Sequence, residues 1–342
     1  MNEGRQARHG YNPVVRFMHL LAAGHRSPLQ AQQLKTITGY PITLQDEAAL
    51  RLICDVEPLT ISEVAFRLDV NLPRASRQLS KLESLGLAER LPCHDDGRSS
   101  RMRATAEGER IHTAWRRTWV RDYVEAIAWW EPADITRFGD ILTRLHAAFE
   151  KPEPALHRLD RQAIDLSRWT GDDSRWEALH YTVPILVKFV HWAVTSVVGP
   201  ANTRAALAAA GSPIAAQPAA VLRIALRYGP LDVTDVAHRT GLATSRTSRI
   251  VGDLTKYELV ERATDSLDGR RIRIKATSRG SSLIRRIDAH QFGPIVTALN
   301  EWDRRDIDAC MSYFERMLEH FTATPPNRTG RPTPQPESTP AG

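Results

Sequence analysis

Cys93–Gly108 reads CHDDGRSSRMRATAEG, and Asp265–Gly280 reads DSLDGRRIRIKATSRG. Each stretch holds Asp-Gly-Arg, then mixed basic and apolar residues, then Ala-Thr-x-x-Gly. In the second, Ile272, Ile274 and Ala276 alternate with Arg271, Arg273 and Lys275, the period of two that marks a half-buried strand. Asp96-Gly97 and Asp268-Gly269 are hairpin-tip dipeptides. The chain therefore carries a basic hairpin twice, and the residues around each hairpin decide what it belongs to.

Working outward, the sequence slid against itself by 172 residues matches without a gap, from about Tyr11–Phe149 onto Val183–Phe321. Phe17 and His19 fall on Phe189 and His191, GYPITLQ falls on GSPIAAQ, Trp130 on Trp302, and Asp134-Ile135 on Asp306-Ile307. From Leu59–Gly108 against Leu231–Gly280 roughly one position in three is identical. We read two copies of one unit, at 13–150 and 175–322, with a proline-led linker at 151–174. Residues 1–12 read as a flexible arm, and the Pro/Thr-rich tail 323–342 as disordered.

Upstream of each hairpin the apolar spacing is helical. LQDEAALRLICDV and PAAVLRIALRYG read as helices ended by Pro58 and by Gly229-Pro230. A short helix follows, TISEVAFRL or VTDVAHRT, for which a Thr or Ser start offers a cap. Asp69 or Gly241 then turns the chain into LPRASRQLSKLESLG or TSRTSRIVGDLTKYE. Asn71 stands at the cap position of the first of these helices, whereas the second has Ala243, with Thr244 as the expected substitute. The inward face of the second helix is Ala75, Leu79 and Leu82, or Thr247, Val251 and Leu254. On the other face Arg74, Arg77 and Lys81 project together; Arg246 and Arg249 repeat the arginines and Asp253 replaces the lysine. Helix, turn, helix and basic hairpin make a winged helix, so the fold class is mainly α with small β-hairpin wings. Long helices after each hairpin are expected to pack one copy against the other.

Composition agrees. The 42% apolar content suits a folded protein, and the net charge of +6 with pI near 9.4 favours a polyanionic partner. Cys54, Cys93 and Cys310 share no short spacing, which excludes a disulfide framework or zinc site and fits a reducing compartment. No apolar run reaches membrane-spanning length and the N-terminus lacks a signal-peptide core, so a cytoplasmic protein without membrane contact is expected. No phosphate-binding loop, zinc-helix motif or nucleophile elbow is present, so no enzyme activity and no cofactor are expected.

With these residues in place the chain resembles the MarR family of bacterial winged-helix transcriptional regulators. The wing pattern of that family, Asp-x-Arg followed by Leu-Thr-x-x-Gly, is met by Asp96, Arg98, Thr105 and Gly108, and by Asp268, Arg270, Thr277 and Gly280. Both copies depart from it at Ala104 and Ala276, where the family usually has leucine. The resemblance implies a two-fold arrangement with intertwined terminal helices, here supplied by one chain as an intramolecular pseudo-dimer on double-stranded DNA. It implies that Arg74, Arg77, Arg246 and Arg249 face base edges, with Lys81 extending the first stripe and Ser76 and Ser248 near phosphate. Arg98 and Arg270 would enter the flanking minor groove, braced by Asp96 and Asp268, while Arg101, Arg103, Arg273 and Lys275 meet phosphates.

The two helices differ at Pro73/Ser245, Ala75/Thr247, Gln78/Ile250 and Lys81/Asp253, which predicts an imperfect inverted repeat with unequal halves. Repression is the outcome usual for the family, and relief by a small aromatic effector would draw on Trp115, Trp119, Trp129, Trp130 and Trp302. Tryptophans at helical spacing usually belong to a core or interface, and that is the expected role of these and of the Phe17/His19 and Phe189/His191 pairs ahead of ligand binding. Cys93 near the wing is a weak candidate for an oxidation switch. Two rival readings stand: a winged-helix module that binds protein, and a regulator in which the first unit alone reads DNA.

Overall fold

The computed structural model describes residues 13–24, 28–56, 58–92, 100–147, 173–264 and 272–322. The N-terminal arm, most of the expected linker, the tail, and both hairpin tips with Cys93, Asp96, Arg98, Asp268 and Arg270 lie outside the described residues.

Two helices that the periodicity reading passes over come first, α1 (Pro13–Gly24) and α2 (Pro28–Thr38). Helix α3 (Leu44–Asp55) opens on a capping box, in which Thr43 accepts from the Asp46 N–H and Asp46 accepts from the Thr43 N–H. A two-residue strand, β1 (Leu59–Thr60), leads into α4 (Ile61–Leu68), opened by a second capping box between Thr60 and Glu63. Asp69, left-handed at φ 53°, turns the chain, and Asn71 caps α5 (Leu72–Ser84) by accepting from the Arg74 N–H. Helix α5 buries Ala75, Leu79 and Leu82. Strands β2 (Ala88–Pro92) and β3 (Ser100–Ala104) pair antiparallel, and β1 adds to the far side of β3. So short a strand carries no readable period, which is why the sequence did not reveal it.

The Thr-x-x-Gly close now has a structural cause. Thr105 caps α6 (Ala106–Ile127) by accepting from the Gly108 N–H, and donates its own hydroxyl to the Gly86 carbonyl at 2.7 Å. A Cβ on Gly108 would stand 2.1 Å from the Leu87 carbonyl oxygen, so only glycine lets the helix sit against the hairpin. Helix α7 (Pro132–Ala147) completes the first half.

The second half runs α8 (Asp173–Trp192, continued by a π-turn at Ala193–Val197), α9 (Pro200–Ala209), α10 (Ala216–Tyr228), α11 (Val233–Thr240) and α12 (Thr244–Lys256). Strands β4 (Val260–Thr264) and β5 (Ile272–Ala276) form a hairpin, followed by α13 (Ser278–Asn300) and α14 (Arg304–Thr322). The bounds of α11, α12, β4 and β5 fall 172 residues after those of α4, α5, β2 and β3. Thr277 caps Gly280 in the same way and donates to the Glu258 carbonyl at 2.7 Å.

Three details differ from expectation. Helix α8 starts at Asp173, inside the expected linker, because Arg175 donates to the carbonyls of Ala128 and Trp130 at the end of α6. The cap of α11 is Asp232, whose carboxylate accepts from the Asp235 N–H, rather than a Thr or Ser. Ala243 leaves α12 with no side-chain cap, and Thr244 lies inside the helix and does not replace one.

Three cores hold the chain. One gathers Leu34, Leu50, Val64, Leu79, Leu82 and Met102 of the first half, and another Leu222, Val236, Val251, Leu254 and Ile274 of the second. The third is shared: Phe17, Val124 and Phe138 from the first half interleave with Leu186, Phe189 and Phe314 from the second. Phe17 and Phe189 both meet the ring of Phe314, at 5.4 Å and 5.8 Å between centroids. Contacts across this core are reciprocal. Asp134 accepts from Arg316 at 2.9 Å while Asp306 accepts from Arg144; Arg316 lies 4.0 Å over Trp130 and Arg144 4.0 Å over Trp302. Each exposed pair contributes at most about 1 kcal/mol, whereas each large apolar side chain buried here contributes about 2–3 kcal/mol. The shared core, not the ion pairs around it, joins the halves. Among the described residues no single helix is long and apolar enough to cross a membrane.

Candidate nucleic-acid interface

Helix α5 stands between the α3 and α4 it packs on and the hairpin beyond it, so its first turn looks outward. Arg74 and Arg77 are exposed on that turn, Ser76 is half-buried, and Arg246, Ser248 and Arg249 are exposed on α12. Neither helix has an acidic residue in its first turn, so the positive end of the helix dipole adds to the arginines. The two leading arginines are not loose. Arg74 donates from Nη2 to the Gln45 side-chain oxygen at 2.6 Å, and Arg246 donates from Nε to the Gln217 side-chain oxygen at 2.8 Å.

Several positions expected to vary the reading surface are placed elsewhere. Lys81 turns back to Asp46 of α3, 2.6 Å from its carboxylate, while its side chain stays partly exposed. Ala75 and Thr247 are fully buried, and Gln78 and Ile250 are nearly so, because they sit on the core side of the helix. Of the four differences named above, Pro73/Ser245 and Lys81/Asp253 remain at the surface, and Asp253 pairs with Lys256 at 3.1 Å.

On the hairpins Arg101 is exposed and donates to the Pro58 carbonyl at 3.4 Å. Arg103 lies opposite Glu89 in the register and bonds to it, so its charge is largely answered within the sheet. Arg273 approaches Asp235 to 4.0 Å, and Lys275 is exposed. Sequence reasoning also missed Phe66, at 86% exposed the most open large apolar side chain among the described residues, with Leu72 beside the same turn. Arg204 of α9 reaches across the halves to Asp69 at that turn, 2.6 Å away. Nothing in the local pattern signals such a contact, since its partners lie in different halves.

Behind this surface the first helix of each half is wedged against the other half. His191 on α8 accepts at Nδ1 from Arg51 of α3 at 3.2 Å, within a group that includes Asp55, Glu47 and His112. Burial, and then the Arg51 charge, push His191 down to about 3. On the other side His19 lies 3.5 Å from Asp288, which Arg223 also bonds. Burial lowers His19, against an opposing pull from Asp288. Burial alone would lower His112 too, but the nearby Asp55 carboxylate and the hydrogen-bonded Glu47 outweigh it and leave this imidazole above its ordinary value. The tryptophans divide: Trp115 and Trp130 lie in cores, Trp119 and Trp302 pack against the shared one, and Trp129 is 59% exposed.

Residues 40–99 match a family model described as the MarR family, which supports a MarR-type winged helix in this region. A comparison with curated protein sequences finds no match. Among solved structures, the chain is similar to a MarR family protein from Bacillus stearothermophilus at 20% identity, covering 41% of this chain and 96% of that one, with a TM-score of 0.35. RV1404 from Mycobacterium tuberculosis matches at 20% identity over 46% of this chain and 97% of its own, with a TM-score of 0.31. The PcaV transcriptional regulator from Streptomyces coelicolor, solved with its natural ligand, matches at 20% identity over 43% of this chain and 96% of its own, with a TM-score of 0.28.

Proposed function

We propose that the chain is a sequence-specific regulator of transcription in which two winged helix-turn-helix units form an intramolecular pseudo-dimer on one site in double-stranded DNA. The observation that carries this reading is the recurrence, 172 residues apart, of an exposed helix start bearing Arg74 and Arg77 or Arg246 and Arg249. Each pair enters a major groove at its own half-site, where arginine donates two hydrogen bonds to guanine O6 and N7. Arg101 and Arg273 meet flanking phosphates, and Arg98 and Arg270, braced by Asp96 and Asp268, reach the minor groove on either side. Reciprocal contacts such as Asp134 with Arg316 and Asp306 with Arg144 support the pseudo-two-fold. The site is an imperfect inverted repeat, and occupancy of a promoter by the folded chain represses it.

A second reading, in which the first unit alone specifies sequence, is favoured by the uncapped start of α12. One experiment separates the two. Random duplex DNA is selected with the intact protein, with Arg74→Ala/Arg77→Ala and with Arg246→Ala/Arg249→Ala. Two half-sites, each blurred by a different variant, support the pseudo-dimer; blurring by the first variant only supports the second reading; no enrichment in any selection defeats both.

A further inference from the structure

Gln45 and Gln217 stand at the ends of the matched stretches GYPITLQ and GSPIAAQ, and the function above gives them no part. Both occupy the second position of their helices, α3 after the Thr43 cap and α10 after Ala215. Each side-chain oxygen receives a hydrogen bond from the arginine at the third position of the helix packed beside it, Arg74 or Arg246. Resting on the DNA-reading proposal, we propose that Gln45 and Gln217 are positioning residues that tether the two leading arginines and set which guanidinium edge each offers to a base.

Three observations bear on this. The tether recurs at the same register in both halves, whereas the neighbouring ion pair does not. Asp46 and Lys81 are joined in the first half, and their counterparts Pro218 and Asp253 have lost the pair together. A scaffold contact was thus dispensable while the contact to an exposed arginine was kept. An exposed arginine otherwise samples many rotamers, and a fixed acceptor at its base restricts that freedom before DNA arrives. The carbonyl oxygen of glutamine suits the task, because it holds the guanidinium without neutralising the charge that DNA attracts; aspartate or glutamate would cancel it.

The two tethers also differ in the nitrogen they use. Arg246 is held through Nε at 2.8 Å, which leaves both terminal amino groups for an end-on pair of bonds to guanine O6 and N7. Arg74 is held through one hydrogen of the terminal Nη2 at 2.6 Å, which leaves Nε, Nη1 and the other Nη2 hydrogen. The two leading arginines are therefore held at different edges and offer different donor pairs to their half-sites. This difference comes from helices α3 and α10, which do not themselves enter the groove.

The experiment uses the full chain and a selected duplex, with binding measured against every single-base variant of both half-sites. Gln217→Ala is expected to lower discrimination about five-fold at the one base pair that Arg246→Ala also affects, and to leave the other half-site unchanged. Gln45→Ala does the same in the opposite half. In an Arg246→Ala background Gln217→Ala adds nothing, because its effect passes through the arginine. An additive loss in that double variant overturns the tether and makes the glutamine a direct DNA contact. A general loss of affinity without loss of discrimination also overturns it. An Arg246→Ala variant with unchanged base preference would remove the reading arginine itself, and defeats the DNA-reading proposal along with the tether. Thermal midpoints of the glutamine variants equal to that of the parent show that folding is not what changed.

Discussion

The first lobe and the second lobe have the same order of elements but secure it by different means. In the first, Thr43, Thr60 and Asn71 cap three successive helices, Lys81 is tied to Asp46, and β1 adds a third strand. In the second, Asp232 caps α11 while α10 and α12 start on alanines without a side-chain cap, and the third strand shrinks to a single bridge between Leu231 and Ile274. The tight left-handed positions are exchanged as well: Asp69 and Gly86 in one lobe, Gly241 and Glu258 in the other. What both lobes keep is the apolar spacing, the Thr-x-x-Gly clasp, and the arginine-glutamine pair. Capping and strand edges each contribute about 1 kcal/mol, so a lobe tolerates losing one, whereas its core and its close backbone contacts admit no such exchange.

The largest test of that distinction is at the clasp. Gly108→Val should unfold the first lobe and Gly280→Val the second, each costing roughly 3 kcal/mol or more, since the new side chain meets a carbonyl oxygen 2.1 Å from its Cβ. Proteolysis followed by mass spectrometry will show whether cleavage is confined to the lobe that carries the change; cleavage spread evenly over both would mean that the lobes fold as one unit.

Next is acid. His191 is held neutral in the folded chain down to about pH 3, so below the unfolded value near 6.5 the unfolded chain takes up a proton that the folded one refuses. Stability from this group is complete above that value and falls as pH drops. His19 acts in the same direction, whereas His112, raised by its carboxylate neighbours, stabilises the fold at low pH and loses that contribution as pH rises. Between pH 7 and 5 the His191 contribution alone is about 2 kcal/mol, so the parent should lose that much more stability over this interval than His191→Asn. Equal losses in denaturant titrations of the two proteins would place the pH sensitivity elsewhere.

Smaller effects sharpen the contrast in capping. Asn71→Ala should cost the first lobe about 1 kcal/mol, and Ala243→Asn should stabilise the second by a similar or smaller amount, read as shifts in urea midpoint. Gln78, whose Oε1 is buried without a hydrogen-bond partner, should tolerate the residue its counterpart carries: Gln78→Ile is expected to stabilise by about 1 kcal/mol with no change in base preference. The least effect is expected at the contact between lobes. Arg204→Ala removes a pair between a largely exposed guanidinium and the mostly covered Asp69 carboxylate, and should change stability by about 0.5 kcal/mol or less.

Much of this architecture is legible in one dimension because its signals are local. The apolar face of α5 repeats at helical spacing, and the structure buries Ala75, Leu79 and Leu82. Asn71 and Thr105 cap the helices they precede, a relation contained within four residues. The failures share a cause. Lys81 reads as the third member of a basic stripe until Asp46, 35 residues earlier, accepts it. Gln78 reads as a surface polar residue, although it lies on the buried side of the helix. Helices α1 and α8 escape the amphipathic test because the shared core covers them on most sides, leaving Val14, Phe17, Leu186 and Val187 buried with little polar contrast between faces.

The sequence by itself determined the helix-turn-helix elements of each half and their order, the turn at Asp69 and Gly241, and the presence of a basic hairpin in each half, since each rests on the period or the turn chemistry of adjacent residues. The tertiary structure alone decided which charges remain available. Arg74 is tethered yet exposed, Lys81 is paired with Asp46, and His19 and His191 are driven into the opposite half, because a side chain's partner is whatever the packing of distant helices brings within 3 Å or so.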